Sequence, residues 1–176
     1  MKYVYVCLAF LVGFMSETSE AVDTSKENIL YLDIEAGRIE ILMRPDVAPV
    51  HVARVKELAR QGFYEGTIFH RVIPGFMAQG GDPTGTGAGG SGQNLKAEFN
   101  RLPHLRGTVS MARAETDDSA DSQFFIVFDR SPFLDDKYTV WGRVIRGMEF
   151  VDQISVGQPP ANPTKIVKVQ VAADVE

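Results

Sequence analysis

The stretch from Phe69 to Asp82 reads F-H-R-V-I-P-G-F-M-A-Q-G-G-D, two apolar-rich segments on either side of Pro74-Gly75. Proline fixes φ at the first corner of a turn, and glycine accepts the positive φ that a type II turn requires at the second. The stretch therefore predicts a hairpin. Its fold-back brings Arg71 close to an aromatic ring, a thioether and an amide, those of Phe76, Met77 and Gln79. This combination indicates an apolar pocket with one fixed cation and a few hydrogen bonds.

The composition is that of one globular domain. The chain has 176 residues, of which 44% are hydrophobic and 23% charged, so it is long enough to bury a core of ordinary size. Its formal net charge is -5, and its lysines and arginines are scattered rather than grouped. A nucleic-acid partner is therefore not expected, because nothing in the sequence would neutralise a track of phosphates.

The N-terminus has the features of a secretory signal. A positive start, Met1-Lys2, precedes an apolar run from Tyr3 to Met15, and Ser19-Glu20-Ala21 places small residues where a signal peptidase cleaves. The run is short for a stable membrane span, although an uncleaved anchor is the alternative; a core helix is disfavoured because no polar face exists. We predict a signal peptide over residues 1–21 and one mature domain over residues 22–176, periplasmic or secreted, with no stable membrane span after cleavage.

Cleavage after Ala21 would also remove Cys7, the only cysteine of the chain. Disulfides, thiolate catalysis and cysteine-bound zinc would then be excluded from the mature domain. A chain without thiols suits an oxidising compartment.

The rest of the chain alternates between short β-rich runs and turn signals. Strands are predicted at 28–34, 38–43, 69–73, 76–79, 108–112, 124–128, 140–145 and 166–171, with a hairpin turn at 35–37. Apolar residues at helical spacing predict one helix that begins near Pro49 and ends before Gly62, and a second, shorter one over residues 147–154. Many short strands with two helices predict a mostly β fold, a closed antiparallel β-barrel capped by the two helices.

Several other patterns point away from common chemistries. The glycine-rich segment 80–92 lacks the Gly-Lys-Ser/Thr of a phosphate-binding loop, and no apolar strand feeds a helix there, so nucleotide binding is not expected. His51, on a charged helix, is expected to face solvent, His70 to be a hydrogen-bonded structural residue, and His104 to have no spaced partner. This scatter predicts no metal site. Ser110 and the other serines lie in no G-x-S-x-G motif and have no catalytic histidine nearby, which disfavours hydrolysis.

Three blocks of the sequence resemble the cyclophilins, the cyclosporin-binding class of peptidyl-prolyl isomerases. The first is Phe69–Asp82; the second, Ser110–Ser131, carries Met-Ala and Ser-Gln-Phe-Phe at matching spacing; the third runs from Phe133 to Val144. Together the resemblance covers nearly all of residues 29–171.

The resemblance implies a role for each matching residue. Arg71 matches the catalytic arginine, and the walls of the proline pocket match Phe76, Met77, Phe125 and Leu134. The residues that match those along the backbone of the bound peptide are Gln79, Ala112, Arg113 and Gln123.

Three matched positions depart from the better-known members of the family. Arg113 stands where those members have asparagine, which puts its backbone contact in doubt. Phe133 and Tyr138, also at substrate-binding positions, stand where many eukaryotic members have tryptophan and histidine. The last two replacements look like the bacterial branch and put drug sensitivity in doubt more than catalysis. Phe133 in particular predicts weak binding of cyclosporin.

The function implied is cis–trans isomerisation of X-Pro bonds in exported polypeptides, which would assist their folding. Its partners would be proline-containing segments of unfolded or exported proteins, it would need no cofactor, and it would act as a monomer. One alternative is a chaperone module that binds proline segments on the same fold without useful turnover. Another is an unrelated β-barrel that carries a small ligand, which would require all three matches to be accidental.

Overall fold

The computed structural model describes residues 22–175, so the predicted signal peptide over residues 1–21 lies outside the described part of the chain. Within that part, no helix has the length and apolar character needed to cross a membrane.

The first hairpin shows how the sequence pattern selects a strand. β1 (Ile29–Ile34) pairs with β2 (Gly37–Met43) around the two-residue turn Glu35-Ala36. In both strands buried residues alternate with partly or fully exposed ones, as a sheet with one solvated face requires. The predicted hairpin is therefore confirmed.

The remaining predicted strands are also present. They are β3 (Arg71–Ile73), β4 (Met77–Gly80), β5 (Thr108–Met111), β6 (Phe124–Val127), β7 (Val140–Arg146) and β8 (Ile166–Val171). β3 and β4 form the predicted hairpin, in which Gly75 has φ 68° and the amide of Phe76 donates to the carbonyl of Ile73 over 3.1 Å. A residue with a Cβ is strained at that positive φ, which explains the glycine.

The eight strands form one antiparallel sheet in the order β3-β4-β6-β5-β7-β2-β1-β8. The prediction of a closed barrel is wrong: β3 and β8 are the two edges, and the sheet is a strongly curled, open half-barrel. Two isolated bridges join the regions of the two edge strands: Ile68, before β3, pairs with Lys165, before β8, and Val72 of β3 pairs with Gly157. β3 has only three residues, too few to make a full ladder with a second neighbour.

Both predicted helices are present. α1 (Pro49–Arg60) begins with proline at its first turn and packs on β8, whereas α2 (Met148–Val151) is a single turn. The carboxylate of Glu98 accepts the amides of Val50 and His51, each over 3.0 Å, and so caps α1, whose N-cap residue Ala48 offers no side-chain acceptor.

His51 does not face solvent as predicted. Its side chain is fully buried, and Nδ1 lies 2.7 Å from the Glu98 carboxylate that caps the helix. The long-range contact with Glu98 draws the imidazole inward, and local helix periodicity could not reveal that contact.

The chain has two separate hydrophobic clusters. The core cluster fills the half-barrel and includes Phe69, Val72, Ala78, Phe124, Ile126 and Trp141. The pocket cluster lies on the outer face of the sheet and consists of Met77, Phe125, Val127 and Leu134, with Ile73, Phe76, Ala112 and Tyr138 packed against it. All four residues of β6 are buried because this strand contributes to both clusters.

Candidate active site

The pairing register of four neighbouring strands aligns the central side chains of the site. Arg71 on β3 is opposite Gln79 on β4, Gln79 is opposite Phe125 on β6, and Phe125 is opposite Ser110 on β5. Directly paired residues of an antiparallel sheet point to the same face. One row on the outer face of the sheet therefore holds a cation, an amide, an aromatic ring and a hydroxyl.

The pocket cluster encloses a cavity of about 110 Å³ on this face. Its floor and walls are apolar and buried: the exposed fractions are 1% for Met77, 5% for Phe125 and 6% for Leu134. The cavity is lined by Arg71, Phe76, Met77, Gln79, Ala112, Arg113, Phe125, Leu134 and Tyr138. The structure thus brings together all the predicted site residues except Gln123 and Phe133.

Those two residues lie beside the cavity. Gln123 lines an adjoining cavity of about 270 Å³ that shares Gln79, Ala112 and Arg113 with the first. The ring of Phe133 is 5.3 Å from that of Phe76 and is 58% exposed, so it forms an outer ledge rather than a wall.

A chain of hydrogen bonds runs from Arg71 along the polar rim of the cavity. Arg71 Nη1 donates to Gln79 Oε1 over 3.4 Å, and Gln79 Nε2 donates to Gln123 Oε1 over 2.9 Å. Gln123 Nε2 then donates to the carbonyls of Gly87 and Gly89, over 3.0 and 2.8 Å. The amides of the rim are therefore held in one orientation by one another.

The glycine-rich loop is organised by Asp82, which is fully buried. Its carboxylate accepts the amides of Thr84, Gly87 and Gly89 and the hydroxyl of Thr84. Burial opposes ionisation of this carboxyl, but the hydrogen bonds from Thr84, Gly89 and Gly87 outweigh burial and lower its pKa to about 2. Hydrogen bonds to Asp82 and to Gln123 thus hold this loop from two sides.

Arg113 provides a second guanidinium at the site, which the sequence reasoning assigned only to peptide backbone contact. Its N–H groups donate to the carbonyls of Lys137, Ala114 and Glu115, over 3.1 to 3.3 Å, and its guanidinium carbon lies 4.9 Å from the ring centre of Tyr138. These contacts hold Arg113 as a wall between the two cavities.

Sequence reasoning missed the support behind Phe125. The His104 ring is stacked on Phe125 at 6.1 Å, its Nε2 lies 2.8 Å from Ser110 Oγ, and its Nδ1 lies 3.0 Å from Asp135 Oδ1. Strand pairing and the segment after β6 bring these partners to His104, which its spacing in the sequence does not reveal.

This Ser110–His104–Asp135 arrangement does not act as a hydrolytic triad. Ser110 and His104 are both fully buried, so no substrate reaches the hydroxyl. Burial lowers the pKa of His104 despite the opposing effect of Asp135, which favours the neutral ring. Because an ionised carboxylate only accepts, the neutral ring with its proton on Nδ1 donates to Asp135 and accepts from Ser110 at Nε2. Ser110 and Asp135 together fix the orientation of the His104 ring, against which Phe125 is stacked.

His70 is buried next to Arg71, and burial lowers its pKa. Neither ring nitrogen forms a hydrogen bond of normal geometry within the described residues, and the predicted structural hydrogen bond is reduced to a weak contact with the Ile68 backbone. Over residues 22–175, no group of three or more His, Cys, Asp or Glu side chains is placed to hold a metal ion.

The site as a whole is an apolar cavity with a guanidinium at its mouth and a rim of fixed amides. Such a site recognises an extended chain that carries one compact apolar side chain, and it stabilises charge or a lone pair beside that side chain. The class of protein that this geometry defines is one with a groove able to hold an extended chain, in which an apolar cavity lies beside fixed hydrogen-bonding groups.

Comparison with known proteins gives the family. Residues 29–171 match the family described as "Cyclophilin type peptidyl-prolyl cis-trans isomerase/CLD". A probable peptidyl-prolyl cis-trans isomerase of Brucella suis is 45% identical, in an alignment that covers 91% of this chain and 89% of that protein.

Solved structures agree. A cyclophilin from Hirschia baltica superposes with a TM-score of 0.80 at 30% identity, over 86% of this chain and 76% of that one. A cyclophilin-type isomerase from Cryptosporidium parvum, determined in the presence of the dipeptide Ala-Pro, gives a TM-score of 0.76 at 30% identity, over 81% and 98% of the two chains.

The chain therefore belongs to the cyclophilin-type peptidyl-prolyl cis-trans isomerase family. Its activity is peptidyl-prolyl cis–trans isomerisation, as the sequence predicted.

Proposed function

We propose that the cavity of the pocket cluster holds the proline ring of a substrate and that Arg71 is the catalytic residue. The observation that carries the proposal is the cross-strand row, which places the Arg71 guanidinium at the mouth of a cavity whose wall is Phe125. The Ala-Pro dipeptide present with the related Cryptosporidium parvum protein supports a proline-containing ligand here.

Prolyl isomerisation needs only tighter binding of the twisted amide than of the planar one, with no covalent step. Rotation about an X-Pro bond crosses a barrier of about 18–20 kcal/mol set by amide resonance, and no covalent bond is broken. When the amide twists, the proline nitrogen becomes pyramidal and gains a lone pair. An N–H of Arg71 donates either to that nitrogen or to the proline carbonyl, and both contacts favour the twisted state over the planar ones.

The geometry leaves donors for this task. Hydrogen bonds to residues within 22–175 involve Nε and Nη1 of Arg71 but not Nη2. A guanidinium has five N–H groups, so the Nη2 fork stays available to substrate. The amides of Gln79 and Gln123 and the wall formed by Arg113 then hold the peptide backbone while the carbonyl before proline turns.

Arg71→Ala tests the role of Arg71. We expect folding close to wild type and kcat/KM lowered by about one to three decades, equivalent to about 1.4–4 kcal/mol of transition-state stabilisation. Isomerisation of an Ala-Pro or Leu-Pro peptide and circular dichroism are measured on the same preparation. Arg146→Ala is the matched control, because that side chain is 77% exposed and pairs only loosely with Glu40. Wild-type kinetics in folded Arg71→Ala would remove Arg71 from the mechanism.

We further propose that the protein is of the bacterial periplasmic kind and acts on exported polypeptides as a monomer. Support comes from the sequence of residues 1–21, with its positive start, apolar run and small residues before Val22. Intact mass and N-terminal sequencing of exported material should give a mature chain that begins near Val22. Material that keeps residues 1–21 and stays in the membrane fraction would instead identify an anchor.

A further inference from the structure

We propose that Gln158 is a positioning residue for Arg71: its side-chain amide oxygen, 3.1 Å from Arg71 Nε, sets the direction of the guanidinium at the mouth of the pocket. The proposal rests on the proposed catalytic role of Arg71. Gln158 lies in the loop between α2 and β8, 87 positions from Arg71, and does not line the cavity itself.

The two hydrogen bonds of Arg71 are unequal. The bond from Nη1 to Gln79 spans 3.4 Å, near the limit for a hydrogen bond, whereas the bond from Nε to Gln158 spans 3.1 Å. A guanidinium is planar, so an acceptor on Nε together with one on Nη1 fixes its plane as well as its position. Without Gln158, one long bond would remain, and the plane could rotate about the side chain.

The backbone holds Gln158 at this place. Its neighbour Gly157 exchanges two hydrogen bonds with Val72, the residue after Arg71, over 2.8 and 3.0 Å. Gly157 has φ 147°, and a Cβ there would lie 2.5 Å from the Cα of Pro160. Only glycine fits so tight a loop, and the loop is thereby tied to the strand that carries Arg71.

Charge explains why an amide suits this position. A glutamine oxygen accepts the Nε–H without neutralising the guanidinium, so the positive charge remains directed at the substrate. A carboxylate at the same place would form a stronger, charge-assisted bond and would offset that charge. The residue type therefore matters as well as the contact.

The experiment compares Gln158→Ala and Gln158→Glu in the wild-type and Arg71→Ala backgrounds, with peptide exchange as the assay. Gln153→Ala and Gln153→Glu are the matched controls, since among residues 22–175 the Gln153 amide donates to the backbone carbonyl of Glu149 and to no other group. We expect Gln158→Ala to lower kcat about two- to tenfold with KM little changed, because the contact acts on the transition state. Gln158→Glu should lose more, and both Gln153 variants should retain wild-type rates.

The Arg71→Ala background separates the two proposals. Gln158 substitutions should have no further effect there, since the group that they position is gone. Equal losses in both backgrounds, or an unchanged rate in folded Gln158→Glu while Arg71→Ala is impaired, would overturn the role of Gln158 and leave that of Arg71 intact. A wild-type rate in Arg71→Ala itself would overturn the proposed function instead.

Discussion

Phe124 and Phe125 are consecutive residues of β6, both nearly buried, yet they belong to different apolar clusters. Phe124 points into the half-barrel, where its ring meets those of Tyr64, Phe69 and Trp141 edge-to-face. Phe125 points outward and lines the cavity. The core cluster is packed on all sides, whereas the pocket cluster leaves an open cavity. Burial by itself therefore does not distinguish a residue that holds the fold from one that serves the site.

The largest expected effect comes from this pair of phenylalanines. Phe124→Ala should lower the free energy of unfolding by about 3–5 kcal/mol, because it opens a void among rings that cannot collapse. Phe125→Ala should cost less stability, since its ring already borders a cavity, but should lower kcat/KM by about ten- to a hundredfold. Urea unfolding and peptide exchange on both variants check this. The distinction between the clusters fails if the two variants lose stability and activity in equal measure.

A smaller effect is expected at the ledge of the pocket cluster. In the family that the sequence resembles, a tryptophan at the position of Phe133 offers an indole N–H to a carbonyl of cyclosporin. Phenylalanine has no such donor, and a polar group left without a partner costs about 1–3 kcal/mol, or roughly five- to 150-fold in affinity. Phe133→Trp should tighten cyclosporin binding by about that factor.

Peptide turnover serves as the control for that variant. Because Phe133 is 58% exposed and lies outside the cavity, Phe133→Trp should change the isomerisation rate far less than the affinity for cyclosporin. Tight cyclosporin binding by the unmodified protein, measured by calorimetry, would show that Phe133 is not the determinant.

The smallest expected effect is a dependence of the free energy of unfolding on pH. It reports on the buried histidines near the pocket cluster, His104 and His70. Burial lowers the pKa of His104 and His70 below 6.5, so the unfolded chain binds these protons more readily than the folded one. The contribution of these histidines to the free energy of unfolding should be complete above about pH 6.5. It should decrease as the pH falls below that value, by at most about 1.4 kcal/mol per pH unit for each histidine.

Two carboxylates act in a lower range. Asp82 and Asp135 have pKa values of about 2 against an ordinary 3.8, so a further loss is expected between about pH 4 and pH 2. Urea unfolding across this whole range tests both windows. His104→Gln should remove part of the slope below pH 6.5 and leave the contribution of Asp82 to the lower window unchanged, because of these two carboxylates only Asp135 is hydrogen-bonded to the His104 side chain. A variant with the slope of wild type would show that His104 is not buried neutral.

The secondary structure of this protein can largely be predicted from local sequence. All eight strands and both helices fall where alternation, helical spacing and turn residues predict them, since these signals depend on a few neighbouring positions. The residues of the pocket were identified from contiguous motifs, in which polar residues interrupt apolar runs in a way that packing alone does not require. Arg71, Gln79 and Gln123 are polar residues of this kind.

The sequence by itself thus determined the positions of the strands and helices, the family, and the residues that line the pocket. Only the tertiary structure decided that the sheet stays open and that His51 turns inward to Glu98. It also decided that His104 packs behind Phe125 and that Gln158 lies beside Arg71. Each of these depends on strand register or on a contact between distant segments. Such contacts leave no periodic trace in the sequence, because a histidine or glutamine in a loop gives the same local pattern whether its partner is water or a distant side chain.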